Sequence, residues 1–97
     1  MENNVNYKLM RLESSKCAEY MQAMQIYTKS VEYIQKTNTS EIKYWIDNKK
    51  KFSPGTLFFF VLLSNDNVIG YAELAYIKTS RILIIDYITI DERYNSN

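Results

Sequence analysis

Residues Ile82–Ile90 are apolar on both sides of any strand they could form, and this limits the fold more than any other feature of the chain. Ile82, Ile84, Ile88 and Ile90 fall on one face of a regular strand, Leu83, Ile85, Tyr87 and Thr89 on the other, and only Asp86 is plainly polar. Apolarity on two faces belongs to an interior strand covered on both sides. A strand at a sheet edge normally carries Lys, Pro or a bulge that discourages further pairing. Only residues 91–97 follow. The sequence is therefore expected to stop before its fold is complete, with the last strand covered by a missing C-terminal half or by another subunit, a second copy included.

The remaining elements follow from periodicity and punctuation. Residues 5–12 alternate weakly and read as a first strand. Ser14 and Ser15 offer a helix N-cap, and Cys17, Tyr20, Met21, Met24, Tyr27, Val31 and Ile34 recur at helical spacing, which predicts an amphipathic helix within 15–34. The run Asn38-Thr39-Ser40-Glu41 has the form of a capping box, followed by Ile42, Trp45 and Ile46 on one face, and predicts a second helix over 39–50. Lys49, Lys50 and Lys51 read as solvated cations in its last turn, where the negative end of the helix dipole favours them. Ser53-Pro54-Gly55 breaks the chain. Strands are expected at 57–63 and 68–77, with a turn at Ser64-Asn65-Asp66-Asn67 before the second and one at Lys78-Thr79-Ser80-Arg81 before Ile82–Ile90. Connections this short make neighbouring strands antiparallel. The expected architecture is one α/β (α+β) domain over 1–97, in the order β-α-α-β-β-β and closing in a three-strand meander.

Several function classes are excluded by what the chain lacks. It has no histidine and one cysteine, so neither a Cys/His zinc site nor a Ser-His or Cys-His nucleophile system can be assembled, and no metal site is expected. Twelve Lys and Arg against eleven Asp and Glu lack the basic excess of a phosphate-backbone binder, so no nucleic-acid partner is expected. Neither a signal-like N-terminus nor an apolar run of membrane-span length is present, which makes a reducing cytoplasm the expected setting and a membrane partner unexpected.

Two carboxylates stand out. If Thr79-Ser80 form the tip of a two-residue hairpin, Lys78 faces Arg81 and Glu73 lies directly opposite Asp86. Facing carboxylates repel, a cost in a purely structural sheet. The same repulsion raises the pKa of one member, which suits a general base working near neutrality. A longer turn with a slipped register, or neutralisation by a Lys or Arg from elsewhere, would remove the pair.

The segments Asn67-Val68-Ile69-Gly70-Tyr71-Ala72-Glu73-Leu74 and Ile85-Asp86-Tyr87-Ile88-Thr89-Ile90-Asp91-Glu92-Arg93-Tyr94 resemble the central strands of the Gcn5-related N-acetyltransferase (GNAT) superfamily. The element order matches that family's first half, and the resemblance covers nearly the whole chain. It implies acetyl-CoA as co-substrate and a small-molecule or peptide amine as acceptor. It assigns main-chain contacts with the pantetheine arm to Ile88, Thr89 and Ile90. Asn95, Ser96 and Asn97 fall on the first positions of the family's pyrophosphate loop, although Asn95 stands where Gln or Arg is usual and the loop's glycines would come after Asn97. Asp86 is the first candidate for the base and Glu73 the second. Without the glycine loop, the 97-residue chain is expected to be inactive alone. Two other readings compete: a non-catalytic assembly module whose open strand pairs with another subunit by β-augmentation, and a single-stranded nucleic-acid binder stacking bases on Phe58 and Phe60, which the balanced charge disfavours.

Overall fold

In the computed structural model, residues 6–30 and 38–94 are described. Strand β1 (Tyr7–Arg11) leads to helix α1 (Ala18–Ser30) and helix α2 (Thr39–Asp47). Three strands follow: β2 (Gly55–Ser64), β3 (Asn67–Ile77) and β4 (Ile82–Ile90). They form one antiparallel sheet in the order β1-β2-β3-β4. The expected mixed α and β class, element order and meander are all present. Among the described residues no helix is long and apolar enough to cross a membrane.

Local chemistry explains where the helices begin and end. The Asn38 side chain accepts the Ser40 N–H at 2.8 Å and caps α2, satisfying one of the donors that a helix start leaves unpaired. Ser15 does not cap α1. Its N–H and hydroxyl instead donate to the two carboxylate oxygens of Asp47, at 2.8 and 2.6 Å, and so fasten the approach to α1 onto the end of α2. The second helix ends at Asp47 rather than 50, and Lys49–Lys51 continue as a 3-10 turn. Lys49 is pinned, donating to the Ile46 and Glu13 carbonyls. Donation to a final helical carbonyl is the interaction the helix dipole favours at that end.

Both helices contribute to a core on one face of the sheet. Ala23, Met24, Ile26 and Tyr27 of α1 and Ile42 and Ile46 of α2 are buried with Phe59, Val61, Leu63, Val68 and Tyr71. The alternate β2 residues Phe58, Phe60 and Leu62 are only half-buried. At the β2–β3 turn, Asn65 and Asp66 both take positive φ (50° and 72°), the pattern of a two-residue hairpin whose twist matches its strands.

The β3–β4 hairpin corrects two expectations. Its loop has four residues, Lys78 to Arg81, closed by the Arg81 N–H to the Ile77 carbonyl, with Arg81 at φ 58°. Near the loop the expected register holds, Ile77 facing Ile82 and Leu74 facing Ile85. A bulge then intervenes, so that Glu73 faces Tyr87 and Asp86 is the extra residue. Glu73 is therefore not directly opposite Asp86. The bulge also divides the isoleucines. Ile84 faces Ala75 and Ile88 faces Ala72, three residues apart on β3, so Ile82 and Ile84 lie on the opposite face from Ile88 and Ile90. Among the described residues β4 has no neighbour on its outer side, and Ile82, Leu83, Ile84, Ile85, Ile88 and Ile90 are all exposed.

Candidate functional site

A cavity of about 260 Å³ opens between α2 and the β3–β4 end of the sheet. From α2 it receives Glu41, Ile42 and Trp45. Phe52 follows the 3-10 turn, Leu57 and Phe59 come from β2, and Glu73, Ala75 and Asp86 come from the hairpin. The 3.6-residue repeat places Glu41, Ile42 and Trp45 on one side of α2. Trp45 and Phe52 meet edge to face, with ring centroids 6.1 Å apart. Seven of the ten lining residues are aliphatic or aromatic and the other three are carboxylates, the mostly apolar wall with a few polar groups that is typical of a small-ligand pocket.

Glu73 is the electrostatic centre. It accepts the Tyr71 hydroxyl at 2.8 Å, Tyr71 being two residues earlier on the same strand face. Burial pushes the Glu73 carboxyl above the ordinary glutamate range. The Tyr71 hydrogen bond pulls the other way, and the charge of Asp86 and a side-chain hydrogen bond with it push upward again. The bulge thus displaces Asp86 from the position opposite Glu73 and still leaves the two carboxyls in contact. Tyr71 is itself pushed far above the usual phenol range, first by burial and then by Glu73. Tyr87, facing Glu73, is raised chiefly by burial. Tyr27 packs edge to face on both tyrosines, at 6.1 Å from Tyr71 and 5.1 Å from Tyr87.

The sequence-derived candidates divide between two places. Asp86 and Glu73 share the cavity. Ile88, Thr89 and Ile90 lie further along β4, with Ile88 and Ile90 exposed and Thr89 half-buried. Thr89 and Ile90 border a second cavity, about 350 Å³, together with Gln22, Lys29, Asp91 and Arg93. Arg93 holds Asp91 at 2.7 Å, and it and Lys29 keep the Asp91 carboxyl below its usual range, so the cations bordering this cavity are matched by acid. Asn95, Ser96 and Asn97 lie outside the described residues. Sequence reasoning missed Glu41 and Phe52 as partners of the carboxylates, and Tyr71 as the donor to Glu73. The last was readable from the i, i+2 spacing on a strand, whereas Glu41 and Phe52 reach the cavity only through the docking of α2.

Fold and cavity define the class: a small two-layer α+β unit with a paired-carboxyl pocket at a sheet bulge. Neither a family model, nor a curated protein, nor a solved structure matches the chain.

Proposed function

We propose that the chain carries the amine-accepting part of an acetyl-CoA-dependent N-acetyltransferase of the GNAT type, with Glu73 and Asp86 as its proton-accepting pair. The observation that carries this reading is the contact between these two carboxyls inside a cavity, beside a strand whose outer edge is open. An ammonium group must lose a proton before its nitrogen can attack a carbonyl carbon. A carboxyl with a raised pKa is the better acceptor for that proton, and the neighbouring carboxylate favours the cationic substrate. The unpaired side of β4 offers the backbone N–H and C=O groups of Ile88 and Ile90, on either side of Thr89, which pairs with Tyr71 of β3, to an extended, amide-bearing arm, as a sheet edge does for a peptide. The fit is with that arm; the acid-matched cations at the second cavity make no phosphate site. Acetyl-CoA would supply the acetyl thioester, whose C–S bond breaks as the amine forms its C–N bond.

The test is a titration of the isotope-labelled chain with acetyl-CoA to millimolar concentration, followed by amide chemical shifts. Saturable changes centred on Ile88, Thr89 and Ile90 are the expected outcome. Unchanged β4 resonances, or changes scattered over the surface, would overturn the reading.

A second reading, assembly through strand pairing at β4, is favoured by the exposed isoleucines of that strand. Light scattering at micromolar concentration would then report a dimer or larger species, and a monomer would count against it.

A further inference from the structure

The cavity's charge is spread along its wall and not focused at one point. Glu41 enters from α2, whereas Glu73 and Asp86 enter from the β3–β4 hairpin. Although all three line one space, no three acidic side chains among the described residues converge closely enough to hold a metal ion. Among the described residues the cavity wall contains no lysine or arginine. Of the cations of the 3-10 turn, Lys49 is engaged with Glu13 and the Ile46 carbonyl, and Lys51 lies over the Tyr44 ring at 5.7 Å. The rest of the wall, including Ile42, Trp45, Leu57 and Phe59, is apolar with aromatic faces. Such a wall stabilises alkyl chains by burial and cations by the ring quadrupole. A single ammonium at the Glu73–Asp86 pair would leave Glu41 without a counter-charge.

From this arrangement we infer that the cavity binds a short aliphatic diamine, with one ammonium at Glu73 and Asp86, the alkyl chain along the apolar wall, and the other ammonium at Glu41. The cavity volume of about 260 Å³ lies just below the range for drug-sized ligands, which suits a molecule of this size. Which nitrogen would be acetylated, the one at the Glu73–Asp86 pair, rests on the acetyl-transfer reading. Binding of the diamine does not.

Trp45 is the only tryptophan of the chain and stands in the cavity wall, so its fluorescence reports occupancy directly. The experiment titrates the chain, without acetyl-CoA and at low ionic strength, with 1,4-diaminobutane and separately with 1-aminobutane. The diamine is expected to change Trp45 emission saturably and to bind roughly tenfold more tightly than the monoamine, the scale of one added charge-assisted contact. Glu41 is exposed on the first turn of α2, so Glu41→Gln should keep the fold, checked by circular dichroism. In this variant the diamine should fall to within about twofold of the monoamine, by the same arithmetic. Equal affinities in the native chain, a diamine preference that survives Glu41→Gln, or emission that never saturates would each overturn the inference. Because the response of β4 to acetyl-CoA is measured separately, failure here leaves the acetyl-transfer reading to its own test.

Discussion

Glu73 is a glutamate whose surroundings favour its neutral form. Burial is the main cause, and the contact with Asp86 adds to it, against the pull of the Tyr71 hydroxyl. The folded-state pKa is therefore above the unfolded one. The stability linked to this group is fully present below the ordinary glutamate pKa and is lost as pH rises through the raised folded value. Glu73→Gln keeps an acceptor for Tyr71 and removes the charge. It should stabilise the chain near pH 7 by about 0.5–1 kcal/mol, the scale of relieving a cross-strand like-charge contact, and have little effect near pH 4. Urea midpoints at the two pH values check this, and a variant less stable than the native chain at pH 7 would show that Glu73 is stabilised as a carboxylate. Asp47 has the opposite sign. Hydrogen bonds from the Ser15 side chain and backbone lower its pKa, so its contribution is present above the unfolded value and is lost as pH falls through the lowered one.

At the scale of elements, hairpin turns are the most local features, and the first shows how local chemistry can be improved. Asp66 holds φ 72° after Asn65 at φ 50°, a region that costs a non-glycine residue free energy. Asp66→Gly would create the Asn-Gly pair preferred in such turns and should stabilise the chain by about 0.5–1 kcal/mol. That amounts to a thermal midpoint higher by roughly 2–8 °C for a domain of this size, and a lower midpoint would mean that the aspartate side chain contributes something glycine cannot. The same locality explains which elements were legible. The Asn38 cap, the Pro54 break and the Ser64–Asn67 turn are each written within a few residues, and Ile82–Ile90 was bounded correctly from its apolar run. Ser15 was misread because its partner, Asp47, lies 32 residues away. The bulge at Asp86 left no trace in the pattern for a particular reason. A one-residue slip normally exposes apolar side chains or buries polar ones, but a strand apolar on both faces reads the same in either register. The Glu73–Asp86 contact was therefore anticipated from a pairing that does not exist, and the contact survives because the bulged residue remains beside its expected neighbour.

For the whole molecule, the sheet has helices contributing to the core of one face and two open edges among the described residues. Its radius of gyration, 14.3 Å, with extents of 49 × 28 × 28 Å, exceeds the roughly 13 Å of a compact chain of about this length, as an elongated shape requires. Protection from hydrogen exchange should follow this layout. Strands β2 and β3 are paired on both sides and should open only with global unfolding, whereas edge strands open at lower cost. The alternate β4 amides that point away from β3 are therefore expected to exchange orders of magnitude faster than those of β3, as measured by exchange-resolved spectra of the dilute chain. The outer side of β4 is also the surface on which the two functional readings conflict. An acetyl-CoA arm and a strand from a second chain would occupy the same backbone groups, so one excludes the other. Protection of those amides that grows with protein concentration would mean strand pairing. Protection that appears only with acetyl-CoA, at constant protein concentration, would mean that the edge is held open for the cofactor arm. Outer amides of β4 as slow as those of β3 in the dilute, ligand-free chain would contradict the open edge itself, and with it both uses of that strand.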